Sequence, residues 1–126
     1  MEKSNLLPEH REVEDQSARK ILSSLGITAN YAGFAYAAYA IALALQEPRR
    51  LQYVTKSLYP EVAKQYGTTT ACVERCIRTV CRVSWERNPD LLGEIAHYPL
   101  PEKPANSVFL AILTTYLSDE ETRKRA

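Results

Sequence analysis

Apolar positions along the chain recur at helical spacing, and no stretch shows the strict alternation of a half-buried strand. Ala18, Ile21, Leu22 and Leu25 follow intervals of three, one and three behind a capping Ser17, and Gly26 is placed to end that short amphipathic helix. After a connector at residues 27–30, residues 31–45 are apolar throughout and rich in alanine. This second helix is stopped by Glu47-Pro48, because the residue before a proline is pushed out of the α region. Residues 49–57 read as a third helix, with Leu51, Val54 and Leu58 facing inward.

The next residues form a recognisable pair. Residues 59–67 make a short helix with Pro60 in its first turn and Gly67 at its end. Thr68, Thr69 and Thr70 are turn and N-cap formers, and from residue 71 a long helix runs to residue 87, where Asn88-Pro89 ends it. A short helix, a glycine-bearing turn and a longer helix make a helix-turn-helix. Beyond it lie a short helical turn at residues 91–96, a loop holding Pro99, Pro101 and Pro104, and a last helix capped by Asn106 or Ser107 that runs through Leu117. The pattern predicts an all-α fold, a compact bundle of about six helices containing a helix-turn-helix. Its domain occupies residues 18–118, between a polar N-terminal tail (1–17) and a charged C-terminal tail (119–126).

Within the long helix, Val73, Cys76, Ile77, Val80 and Ser84 form the core stripe. The opposite side carries Arg75, Arg78 and Arg82 at i, i+3 and i+7, accompanied by Glu74 and Thr79. A guanidinium fork can grip a guanine edge bidentately or clamp a phosphate, whereas the plain alternative is a solvated face with Glu74 and Arg78 as an ordinary i, i+4 pair. The turn preceding the row favours DNA, since a helix-turn-helix lays its second helix in the major groove.

Composition sharpens this picture. At 126 residues, 45% apolar, the chain suits one domain. Its net charge of +1 is not that of a basic nucleic-acid binder, but the charge is unevenly placed. Residues 49–88 carry eight Lys/Arg against three Glu, a local +5, and the remaining residues sum to −4. Cys72, Cys76 and Cys81 give no disulfide framework. Without histidine nearby they also lack zinc spacing, so neither metal nor cofactor is expected. Cys76 is expected in the core, and Cys72, early in the long helix, is a candidate thiol sensor. Trp85 and the eight tyrosines read as packing residues that do not cluster with the basic ones. No signal-peptide pattern is found, and fifteen apolar residues at 31–45 fall short of the roughly 20 that a membrane span needs, which places the protein in the cytoplasm. No nucleophile accompanies the His97-Tyr98 loop pair, and no phosphate-cradling glycine pattern exists, so an enzyme is not expected.

The run Thr55-Lys56-Ser57-Leu58-Tyr59-Pro60-Glu61-Val62-Ala63-Lys64-Gln65-Tyr66-Gly67-Thr68-Thr69, followed by Val73-Glu74-Arg75-Cys76-Ile77-Arg78, resembles the effector domain of the sporulation stage-zero A response regulator family. Leu25-Gly26-Ile27, Ala29, Gly33, Trp85 and Lys103-Pro104-Ala105-Asn106-Ser107-Val108-Phe109 extend the resemblance over residues 18–117. It implies a cytoplasmic, helical transcription regulator that binds double-stranded DNA as adjacent copies, possible contact with the transcription machinery, and here a stand-alone effector without a receiver domain. Carried over by position, Glu74, Arg75 and Arg78 face the bases. Lys56, Lys64 and the loop of Lys103 and Asn106 match positions near the backbone, and the helix-turn-helix reading itself puts Thr68, Thr69, Thr70, Cys72, Thr79 and Arg82 on or near it.

Three positions depart from the family. Ala71-Cys72 stands where it has Ser-Arg, and Thr79 where it has His. Losing one recognition-helix arginine removes about 1–3 kcal/mol of base discrimination. The second helix also lacks the family's charges, leaving Ala32, Ala35, Ala37 and Ala38, which suggests a second reading: an interaction module that pairs with itself or with a full-length regulator through an apolar face.

Overall fold

The structure, a computed structural model, describes residues 8–125, with side chains from 14 to 124. Among these residues six α-helices form the bundle: α1 (Pro8–Ser24), α2 (Ala32–Gln46), α3 (Tyr59–Tyr66), α4 (Thr70–Arg87), α5 (Pro89–Ala96) and α6 (Asn106–Arg125). No strand occurs among the described residues, so the expected all-α bundle is what the chain forms.

Helix α2 is the centre of the bundle and touches α1, α3, α4 and α6. Its alanines allow this, because a helix without bulky side chains lets four neighbours approach at once. Ala37, Ala38, Ala40, Ile41, Ala42 and Ala44 are fully buried, and Phe34 and Leu43 nearly so. At Gly33 the approach is closest. A Cβ added there would stand 2.3 Å from the Cys76 carbonyl oxygen of α4 and 2.6 Å from a Val80 methyl, so the crossing of α2 and α4 requires glycine. Leu22, Leu25, Ile77, Leu92, Phe109, Leu110 and Leu113 complete the interior from the other helices. The alanine face proposed as a partner surface is therefore core. Ala37 and Ala38 contact no solvent, Ala35 is half-buried, and Ala32 alone of the four is exposed.

Where α4 ends, it is tied to the α1–α2 connector. Arg87 Nη1 donates to the Gly26 carbonyl at 2.7 Å and Asn88 Nδ2 to the Leu25 carbonyl at 2.8 Å. Gly26 itself sits at φ 95°, which fits its expected role in ending α1.

Five expectations differ from the structure. Helix α1 starts at Pro8, well inside the segment read as a polar tail, and α6 continues past Leu117 through Arg125. Both extensions are polar helices steadied by side-chain pairs: Asp15–Arg19 at 2.7 Å, Gln46 donating to Glu14 at 3.1 Å, and Glu120–Arg123 at 2.6 Å. Residues 1–7 of the expected tail lie outside the described residues. The third helix is irregular, a 3-10 stretch at Pro48–Tyr53 followed by a single wide π turn at Val54–Leu58. The break lies at Tyr53 (φ −141°, ψ 63°), and of the three inward residues Leu58 is fully buried while Leu51 and Val54 are half-buried. In α4 the buried thiol is Cys81, not Cys76, because Gly33 brings α2 against the Cys76 backbone and leaves that side chain half-buried at the edge of the contact. Finally, Tyr53 is 65% exposed and lines one surface cavity with Arg49, Arg50 and Lys56, so one tyrosine does stand among the basic residues.

Candidate nucleic-acid interface

The turn between α3 and α4 is built by three local preferences. Gly67 closes α3 in the left-handed conformation (φ 63°, ψ 40°), open to side chains in space but not in backbone angle. Thr68 donates its N–H back to the Ala63 carbonyl at 2.9 Å, and Thr69 adopts extended angles as the N-cap of α4. The Thr69 hydroxyl accepts from the Cys72 N–H at 3.1 Å, which satisfies one of the first-turn donors and is worth about 1 kcal/mol. Thus the threonines foreseen as turn formers divide the work, with Thr69 as the cap and Thr70 as the first helical residue.

From that cap, α4 presents a polar stripe. Ala71, Arg75, Arg78, Arg82 and Glu86 are exposed, while Val73, Ile77, Val80, Cys81, Val83 and Ser84 are buried, so the helix has one wet and one dry face. Arg78 pairs with Glu74 one turn back, and Arg82 with Glu86 at 3.4 Å. Pairs as exposed as these contribute at most about 0.5 kcal/mol, and they can be exchanged for a ligand's oxygens at little cost. Arg75 has no carboxylate partner among the described residues. Thr79, half-buried, turns its hydroxyl to the Arg75 carbonyl at 3.3 Å and is thereby occupied by its own helix.

A second element closes on the same face. The loop before α6 is anchored to α4 by two hydrogen bonds: Cys81 Sγ donates to the Pro104 carbonyl at 3.3 Å, and Asn106 Nδ2 donates to the Glu74 carbonyl at 3.1 Å. Burial pushes the Cys81 thiol up to about 11, which keeps it protonated as a donor. Burial raises the pKa of the Tyr59 hydroxyl, and the Asn106 side chain beside it acts the other way. In this way Glu74, Arg78, Lys103, Asn106, Thr55 and Tyr59 line one open cavity of about 320 Å³. Lys56 lies instead on the neighbouring cavity of about 290 Å³ with Arg49 and Arg50, and Lys64 is exposed in the last turn of α3. The structure therefore brings Glu74, Arg78, Lys103 and Asn106 together and leaves Lys56 and Lys64 apart from that cavity. Tyr59 and Cys81 were not foreseen. Nothing in a tyrosine before a proline, or in one of three cysteines, marks it as a brace for a distant loop.

Cys72, half-buried, sits in the first turn of α4. Its thiol pKa is lowered, chiefly by a hydrogen bond with the Thr68 side chain and further by Cys76, by Arg75 and by Tyr36. Burial and the neighbouring Cys72 raise that of Cys76. No group of three or more His, Cys, Asp or Glu side chains able to hold a metal occurs among the described residues, and none of their helices is long and apolar enough to cross a membrane.

Comparison with known protein families matches residues 18–117 to the family described as Sporulation initiation factor Spo0A C terminal. The matched segment runs from the fully buried Ala18 of α1 to Leu117 of α6 and so includes the whole helix-turn-helix and the loop that braces it.

Proposed function

Because the chain belongs to the Spo0A C-terminal family, a DNA-binding family of sporulation effector domains rather than an enzyme family, we propose that it reads specific duplex sequences by laying α4 in the major groove. Arg75 and Arg78 address base edges, and Glu74 orients Arg78 or accepts from a cytosine amine. Lys56, Lys64, Arg82 and Lys103, with the turn residues Thr68, Thr69 and Thr70, hold phosphates that fix the register. Asn106 serves chiefly as a brace, since its amide is engaged by the Glu74 carbonyl. Cys72 and Thr79 flank the reading stripe and shape the preferred sequence where the family has Arg and His. The same proposal extends to adjacent copies on DNA and to contact with the transcription machinery.

The observation that carries this reading is the exposed row Ala71, Arg75, Arg78 and Arg82 on a helix whose start is capped and whose opposite face is fully packed. An arginine row on a helix rigidly seated against α2 can enter a groove without reorganisation. Selection of the purified chain on a randomised duplex library at two salt concentrations tests it. The expected result is enrichment of a short motif with affinity that falls steeply as salt rises. Salt-sensitive binding without enrichment would refute base reading.

A further inference from the structure

We propose that Cys72 and Cys76 form a reactive dithiol on the recognition helix, a modification site that exchanges with small-molecule disulfides and thereby switches off the DNA reading proposed above. The pair lies on successive turns of α4, both residues half-buried, and at Cys76 the α4 backbone carbonyl meets Gly33 of α2. Three features converge there. Cys72 is in the first turn of an 18-residue helix, where the unpaired N–H groups favour a negative charge. Around its sulfur stand the Thr68 hydroxyl, Tyr36, Arg75 and Cys76, and these together lower its pKa. One turn along, burial and the neighbouring Cys72 raise the pKa of Cys76. A more acidic thiol one turn from a less acidic one is the division of labour that attack and resolution require. Cys81 offers the internal contrast, for it is buried, raised to about 11 and committed to the Pro104 carbonyl.

The chemistry balances with an external disulfide, RSSR, as the oxidant. The Cys72 thiolate attacks one sulfur of RSSR, forming a mixed disulfide and expelling RS⁻. Cys76 then gives its proton to solvent and attacks the Cys72 sulfur, closing the intramolecular disulfide and expelling the second RS⁻. Two protein thiols are oxidised and one disulfide is reduced to two thiols.

Geometry makes the product a structural change rather than a silent mark. Residues one turn apart on a helix hold their Cβ atoms about 5–6 Å apart, against about 3.8 Å in a disulfide. Closing the bond must pull Cys72 toward Cys76 and so open the first turn. That breaks the hydrogen bond from the Cys72 N–H to Thr69 and displaces Ala71 and Arg75 from the stripe. Oxidation acts where the groove would be entered.

The test treats the reduced full chain at neutral pH with 5,5′-dithiobis(2-nitrobenzoic acid), following thiolate release by absorbance and the product by intact mass. Two equivalents should be released in quick succession, leaving a protein lighter by two hydrogens with no adduct. The Cys72→Ser protein should react about tenfold more slowly, whereas Cys76→Ser should keep a stable adduct after one release. Cys81→Ser should release the same two equivalents at the same rate as the unaltered chain. A lasting adduct on the unaltered chain, or an unchanged rate in Cys72→Ser, would overturn the site. Helical circular dichroism of each variant confirms folding. DNA binding is then measured before and after oxidation. Loss of sequence-selective binding, restored by dithiothreitol and absent in Cys76→Ser left untreated, is the expected result, and unchanged binding by the fully oxidised chain would overturn the switch. If the reduced chain selects no sequence, the DNA-reading proposal fails by itself while the mass and rate results still decide the thiol chemistry.

Discussion

Helices α2 and α4 cross at Gly33, yet they solve opposite problems. α2 carries no charged residue between Ala32 and Gln46 and buries ten of its residues, so its sequence is spent on closeness to its neighbours. α4 buries one face and keeps a row of arginines wet on the other. The lesson is that the face proposed to read DNA is positioned by buried residues of another helix. α2 sets the rotation of α4, while Asn106 and Cys81 fasten the loop that borders its outer face. A helix chosen for charge would not hold its register without one chosen for shape.

The sharpest way to break that division is inside α2. Ile41→Ala removes a fully buried side chain and should cost about 2–5 kcal/mol in urea denaturation. Gly33→Ala comes next. Alanine gains up to about 1 kcal/mol of helix propensity, but its Cβ would meet the Cys76 carbonyl at 2.3 Å, and backbone cannot swing aside. Overpacking should win by about 1–3 kcal/mol, and sequence-selective binding should fall even at temperatures where the variant is folded, because α4 is displaced. A Gly33→Ala protein more stable than the original would show that the α2–α4 crossing is not fixed as described. Thr69→Ala should cost about 1 kcal/mol through loss of the α4 cap, read as a lower thermal midpoint. At the small end, Glu74→Gln and Arg75→Ala should each alter stability by no more than about 0.5 kcal/mol, since both lie on the wet face. A large stability loss in either would place these residues in the scaffold and blur the contrast with α2.

Much of this was legible in the residues because it rests on local rules. Gly67, the threonine turn and the arginine spacing are one-dimensional signals, and they led directly to the helix-turn-helix and to the Arg75, Arg78, Arg82 stripe. What escaped depends on packing across the chain or on polar pairing. The first turns of α1 and the last turns of α6 show no apolar periodicity, and polar pairs such as Asp15–Arg19 and Glu120–Arg123 help to hold them. The spacing of Leu51, Val54 and Leu58 suits a regular helix, yet the chain tightens to 3-10 and then widens before α3, with Arg50 Nη1 donating to the Ser57 carbonyl at 2.5 Å across the irregular turns. The braces Tyr59 and Cys81 act on partners 47 and 23 positions away, Asn106 and Pro104, and no local pattern marks such a pair. The burial of Cys81 rather than Cys76 has the same origin. Spacing along α4 cannot show which flank a neighbouring helix will cover.

The measurement that tests the central claim most directly is the dissociation constant of the chain, of Arg75→Ala and of Arg78→Ala on a selected duplex and on a scrambled one at fixed salt. Base reading predicts that each variant loses about 1–3 kcal/mol of discrimination, with affinity for the selected site falling and affinity for the scrambled one changing far less. Equal losses on both duplexes would assign the arginines to phosphates and contradict the account of α4 as the reading helix.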